Sequence, residues 1–453
     1  MTPSSTDILT ASRPSRRRVS LAQLALLVPF VALVIDAWAP LRDNSFLWHI
    51  RAGELQREAI EVLQADPFSF TMMGTPWLTQ SWLAELAYSY GETLSGLGFV
   101  PPMLLAASLV TFVGIGLIAY QSSNSLPSTV VVLLLSTVLL ISFVVPRPVL
   151  FSYAIFAVVI LVWSSPRFRW ALPFLFWIWA SVHGSFAIGL AFVGLSLIAE
   201  REWRWLPTAA VSGLVTLMTA HGLGVVTMLV SFADARETLS LLSEWRRPEL
   251  LSPVFLPFVF GIGILVFGSL RKRVEVRHLW VIAPFLLLGF SSLRAVPPAW
   301  LGLLPYVALS LGPIRFGSER RFAGPIGVVV GLSIVVLPFV LRGNGGLDQE
   351  RFPTEAGAHL QDVNTFHDDR AGGYLIWLEG PERLVYLDDR AELYGQRMAE
   401  FVAVRRLETP WEPVFERDGI EQVLLRVDEE LVDELTGAGW TVGFEDEQYV
   451  VLR

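Results

Sequence analysis

Asp43, Trp48, His49 and Glu54 fall within one fourteen-residue stretch, RDNSFLWHIRAGEL (residues 42–55). A carboxylate at a water–lipid boundary is placed to take the proton of an acceptor hydroxyl. It would suit a substrate whose reactive end emerges from a membrane. Further along stand Asp66, Arg147, His183, His221, Glu244, Arg246 and Arg294. Ionisable groups near membrane depth usually line a cavity or pair with one another. Each also has a plainer reading. Asp-Asn-Ser is good capping chemistry for a following helix. Trp48 and His49 suit an interfacial belt. His183 sits at a tight turn beside Gly184, where it could serve helix packing. Glu244-Trp245-Arg246 could be a surface ion pair, worth little energetically. Arg294, with no charged sequence neighbour, could snorkel to headgroups or hold an anionic one. Asp43, His49 and Glu54 form no recognised metal signature, which leaves a divalent cation open without a site to name.

The elements that would position these residues are greasy. Of 453 residues, 53% are hydrophobic and 17% charged, where a soluble chain carries about 25% charged residues. Apolar runs of roughly 18 residues or more recur, the mark of membrane spans. The expected spans are 20–40, 99–120, 128–146, 148–165, 170–182, 184–199, 205–221, 252–270, 279–293, 297–314 and 323–341. Arginines cluster on alternate connections, so the positive-inside rule puts the N-terminus in the cytoplasm. An odd count of about eleven spans then puts the C-terminal segment outside. The first apolar run follows SRPSRRRVS, and Pro40 follows the cleavage-like Ala37-Trp38-Ala39; an uncleaved signal anchor is expected.

This threading places residues 41–98 in one large first outer loop. Within it, 45–62 is expected to lie at the interface with Phe46, Ile50 and Leu55 toward lipid and Arg51, Glu54 and Glu58 toward water. DPFSF (66–70) reads as a turn and an extended piece. TPWLTQSWLAELAYSY (75–90) reads as a second helix.

Charge divides the chain. Residues 342–453 hold 25 acids and 11 arginines, a net of −14, while residues 1–341 hold 17 acids and 23 bases. The expected domains are therefore a membrane domain, 1–341, and a soluble acidic α/β domain, 342–453. In the latter, 372–378, 383–387, 422–427, 440–444 and 448–453 read as strands, and 398–407 and 429–439 as helices. LDDR (387–390) ends one of those strands, where paired acids in an acidic domain are usually solvated. The fold class expected is mainly α: a polytopic transmembrane bundle followed by a small extracytoplasmic α/β domain. The chain has no cysteine, hence no disulfide and no thiolate chemistry. No basic patch interleaved with aromatics points to nucleic acid. There is no glycine-rich phosphate loop, serine-hydrolase elbow or HExxH helix.

The order of one span, an Asp just outside it, an interfacial helix, a Pro-containing loop and a Trp-rich helix resembles the GT-C membrane glycosyltransferases. It is similar to an uncharacterised bacterial branch of that superfamily. DNSFLWHIRAGEL, ADPFSFTMMGTPWLTQSWLAEL, WASVHGSF, SEWRRP, LRAVPP, GGYLIW and DDRAELY carry the likeness, each weak alone and stronger in order. The resemblance implies an inverting transfer of a sugar from a polyprenyl-phosphate donor to a glycan, lipid or protein hydroxyl. It implies this at the outer face of a bacterial inner membrane, with membrane lipids as neighbours. Asp43 would be the general base, and an arginine would hold the leaving phosphate: Arg294 first, Arg246 or Arg147 next. Trp48, His49, Glu54, Asp66, His183 and Glu244 would line the substrate site. Many members carry a second acid beside the first-loop Asp. Here the neighbour is Asn44, so Asp36, Glu54 or Asp66 would have to supply it. The competing readings are a lipid or polymer transporter, which needs charges at mid-membrane, and a non-catalytic scaffold for envelope assembly.

Overall fold

The structure, a computed structural model, describes residues 20–234, 243–314 and 346–453. The expected span 323–341, the N-terminal basic tail and the domain boundary near Arg342 lie outside those residues. In chain order the helices of the first part are α1 (Leu21–Ala25), α2 (Leu27–Ala37), α3 (Ser45–Ala59), α4 (Trp82–Ser95), α5 (Val100–Ser123), α6 (Leu126–Leu140) and α7 (Val149–Ser164). They continue with α8 (Leu172–Val182), α9 (Phe186–Glu200), α10 (Leu206–Val215), α11 (Gly224–Asp234), α12 (Leu256–Leu270), α13 (Leu279–Ser291) and α14 (Val296–Leu311). Proline opens many of them, as at Pro101, Pro127, Pro173, Pro207, Pro257 and Pro297. Its fixed φ and missing N–H cost nothing in a first turn.

Each expected span from 20–40 to 297–314 falls on helix. By length and composition, two helical stretches among the described residues are long and apolar enough to cross a membrane, Trp82–Ser123 and Leu126–Phe143. The others are shorter, so the number of crossings stays an expectation. A further apolar helix, α11, occupies a stretch read as outer loop. Aromatic packing holds the bundle: Phe156 meets Trp179, Phe192 and Phe285 at centroid distances of 5.4, 5.6 and 6.3 Å. Buried Trp300 donates its indole N–H to Ser136 Oγ at 2.8 Å. Val110, Val113, Leu117, Phe260, Val266 and Leu287 point outward from the helices, exposed.

Residues 346–453 carry a four-stranded sheet of order β1-β2-β4-β3. β1 (Thr365–His367) pairs parallel with β2 (Gln422–Arg426). β4 (Tyr449–Leu452) runs antiparallel to both β2 and β3 (Val442–Glu445). Helices α15 (Asp369–Glu379), α16 (Ala391–Tyr394), α17 (Gln396–Arg405), α18 (Glu412–Asp418) and α19 (Glu430–Gly437) surround it. Two expected strands are corrected. Residues 372–378 lie in helix α15. Residues 383–387 are not a strand of this sheet; Val385 instead bridges Ser69 of the first loop.

That bridge is part of an extensive union between loop and tail. Phe70 N donates to Val385 O at 3.1 Å and Val385 N to Phe68 O at 2.9 Å. Leu41 N donates to Gly346 O at 2.9 Å and Asp348 N to Leu41 O at 3.0 Å, and Arg42 pairs with Asp348 at 2.7 Å. Helix α15 lies against α3. A Cβ added at Gly373 would stand 2.6 Å from Asn44 O, and one at Gly372 2.1 Å from Leu387 O. The two glycines let the helix backbone approach this closely. The lipid-facing expectation for α3 is therefore corrected: Phe46 and Ile50 are buried in protein. On its other side α3 crosses α4, where a Cβ at Gly53 would stand 1.9 Å from Glu85 O. The second loop helix begins at Trp82; residues 75–79 approach it without helix and 80–81 turn into it, with Trp77 N donating to Gln64 O at 3.0 Å.

Candidate active site

One end of the bundle gathers the chemistry, because the charged residues stand where helices begin or end. Asp43 precedes α3, Arg147 precedes α7, His183 separates α8 from α9, and Arg294 precedes α14. Glu244 lies in a short turn, Ser243–Trp245, ahead of α12.

These side chains form a chain of ion pairs. Asp43 Oδ2 accepts from Arg147 Nε at 2.7 Å, and its Oδ1 accepts from Ser45 N at 3.1 Å. Asp43 thus secures the start of α3 and holds Arg147 at once. Arg147 also donates to Glu244 Oε2 at 2.9 Å, and Glu244 Oε1 accepts from Arg294 at 2.8 Å. Arg294 lies over the Trp245 ring, 5.3 Å from its centroid. Burial opposes the charge on Arg147, but Asp43, Glu244 and Asp389 keep it protonated. Burial likewise works against ionised Glu244, and Arg294 and Arg147 outweigh it, holding the carboxyl below its ordinary range.

Asp389, from the tail, completes the cluster. It accepts from the Trp48 indole N–H at 2.8 Å and from the Ser45 hydroxyl, and it approaches Arg147 to 3.9 Å. Burial pushes its carboxyl above the ordinary range, with Arg147 opposing. His49 meets Glu85 at 2.9 Å. Burial, Arg294 and His49 push His183 down to about 3, so its ring is neutral; it pairs with Ser185 Oγ at 3.0 Å.

Three connected spaces surround the pairs. A polar cleft of about 690 Å³, open at its mouth, is lined by Trp48, His49, Trp77, Arg147, Asp389 and Glu392 among others. A more apolar space of about 860 Å³ is lined by Tyr153, Ile188, Met228, Leu288 and Pro298. A third, of about 580 Å³, contains Asp43 beside Ser142, Phe143 and Tyr153. Arg294 borders all three.

Of the residues singled out from sequence, Asp43, Trp48, His49, Arg147, His183, Glu244 and Arg294 converge here. Arg246 does not: its side chain is exposed and its carbonyl accepts from Leu293 N at 2.9 Å. Glu54 pairs with Arg51 away from the cleft. Asp66 is wholly buried in the loop–tail union, 2.9 Å from Arg390. Arg390 in turn forks onto Asp388 at 2.8 and 2.6 Å and lies 4.5 Å over the Trp77 ring. The residues missed are Glu85, Asp389 and Glu392. The LDDR end and the DDRAELY motif were the signals for Asp389, and local composition argued for solvation. Among the described residues no group of three or more His, Asp or Glu side chains is placed to hold a metal ion.

No family model matches the chain, and no curated protein matches it. Its architecture is similar to a solved one, the crystal structure of ArnT from Cupriavidus metallidurans in the apo state. The TM-score is 0.51, at 15% identity over 95% of this chain and 96% of that one, a likeness of fold.

Proposed function

We propose that the chain is a membrane glycosyltransferase that moves a sugar from a polyprenyl-phosphate donor to an acceptor hydroxyl at the outer face of a bacterial inner membrane. The observation that carries this reading is the junction at Arg294, where a polar cleft meets an apolar space. An amphiphilic donor needs that shape: chain in the apolar space, phosphate on the arginine, sugar in the cleft. The likeness of fold to ArnT is consistent with it. So are the outward apolar side chains of the helices, since exposed apolar surface of this extent marks a membrane-facing protein.

In this reading Arg294 and Arg147 hold the phosphate as its charge develops. At rest both Asp43 oxygens are engaged. A donor phosphate that draws Arg147 away frees Oδ2 to act as general base on the acceptor hydroxyl. Attack from the face opposite the phosphate inverts the anomeric carbon. Residues 346–453 stand at the outer face in this reading, with Asp389 lining the cleft.

The test is turnover of labelled polyprenyl-phosphate sugars by the protein in lipid discs. Wild type is expected to consume a donor, and Arg294→Ala to be slower by about 10²–10³, the usual effect of losing one transition-state donor. A donor-consuming Arg294→Ala variant with wild-type kinetics would remove the arginine from the mechanism.

A further inference from the structure

His49 lines the cleft and has no part in the steps above. Its Nδ1 meets Glu85 Oε1 at 2.9 Å. Glu85 is completely buried, and its other oxygen receives Gln56 Nε2 and the Thr79 hydroxyl. Among the described residues no Arg or Lys pairs with Glu85, and His49 is its one ionisable side-chain partner. Trp48 packs on the imidazole, ring centroids 3.6 Å apart, and fixes its plane. Nε2 has no hydrogen-bond partner among the described residues, while the ring borders the same cleft as Arg147 and Arg294.

We propose that His49, oriented by Glu85, is the proton donor to the departing lipid phosphate. This rests on the transferase reading. The bond from the anomeric carbon to the phosphate oxygen breaks, and its electron pair goes to that oxygen. The phosphate takes the proton from His49 Nε2. The acceptor oxygen bonds to the anomeric carbon and gives its proton to Asp43. His49 then regains a proton from water and Asp43 returns one. The neighbouring imidazole, His183, does not fit this role, because its burial keeps it neutral. The groups facing His49 are Glu85 and Tyr88 from α4, His183 from its turn, Arg147 and Arg294 across the cleft, and Asp389 from the tail.

Chemical rescue tests the assignment. His49→Ala in lipid discs is expected to lose about 10²-fold or more in turnover. Added imidazole should restore part of it, and the restoration should decline as pH rises through the titration of imidazole, because the protonated form is the donor. Restoration that grows with pH would make the ring a base and overturn the proposal, as would no restoration at any pH. His49→Gln keeps a hydrogen bond toward Glu85 and should hold the wild-type melting temperature yet be as slow as His49→Ala. Wild-type turnover in His49→Gln would reduce the ring to packing. A wild type inert on every donor contradicts the transferase reading itself, whereas an active wild type with any of these overturning results contradicts only the His49 assignment.

Discussion

Arg390 and Arg294 show how differently two arginines of one molecule can be used. Arg390 is fully buried between two fully buried carboxylates, Asp66 and Asp388. Replacing it by Met leaves both acids without their cationic partner, a change expected to cost about 3–5 kcal/mol. Denaturant unfolding of Arg390→Met measures this, and an unchanged midpoint would contradict the account. Adding Asp66→Asn and Asp388→Asn to that variant should recover part of the loss. Arg294, by contrast, has one carboxylate partner and three spaces around it, so Arg294→Ala is a loss of function more than of stability. Arg246→Ala, on an exposed side chain, should leave turnover within about twofold of wild type, as for surface changes generally. The residue types at 43, 147, 183, 244 and 294 were legible in the sequence because isolated charges between apolar runs stand out. Asp389 was not legible. Its meeting with Ser45 and Trp48 is made by tertiary structure across more than three hundred positions, and nothing local distinguishes it from its acidic neighbours.

Among elements, α15 carries the sharpest lesson. GGYLIWL reads as a strand because a short apolar run rich in aromatic and branched residues does not separate buried strand from buried helix. The fold resolves it: Asp368 caps the helix, accepting from Ala371 N at 2.7 Å, while Gly373 lets it approach Asn44 at the start of α3 and Gly372 lets it approach Leu387. Gly373→Val should therefore loosen the tail from the first loop, at a cost of about 1–3 kcal/mol for overpacking. Limited proteolysis would show faster cleavage of the tail; unaltered resistance would count against the docking. The same cap predicts a pH effect. Burial, aided by Asp369, pushes Asp368 up to about 7. Its folded form binds a proton the unfolded chain has already lost, so its contribution to stability falls as pH rises from the ordinary carboxylate range, near 4, to about 7. Adjacent His367 is opposite in sign. Burial pushes it down to about 4. Its neutral ring donates from Nδ1 to Asp368 O at 2.8 Å and accepts Tyr386 N at 2.9 Å. Its contribution therefore rises with pH from about 4 to the ordinary imidazole value. The two slopes oppose each other. Asp368→Asn keeps a capping side chain and removes only the falling one. Its melting temperature should climb with pH through that window and exceed wild type at mildly alkaline pH. A variant with the wild-type slope would contradict the assignment.

At the scale of the whole molecule, charge asymmetry and repeated apolar runs were enough to separate a greasy bundle from an acidic α/β segment, because composition is a property of long stretches. What composition could not convey is that the segment is built into the site. Tail residues between 346 and 390 pair with residues 41–71 and bring Asp389 to Arg147. The number of membrane crossings was equally beyond it, since most of the apolar helices are shorter than a full span. Labelled polyprenyl-phosphate sugars, offered as a panel to the full chain in lipid discs, should be consumed by wild type with release of the lipid phosphate. Asp43→Asn should be slower by about 10²–10⁴, the span of general-base contributions. Equal consumption by both proteins would contradict the role of Asp43, and no consumption of any donor by wild type would contradict the transferase.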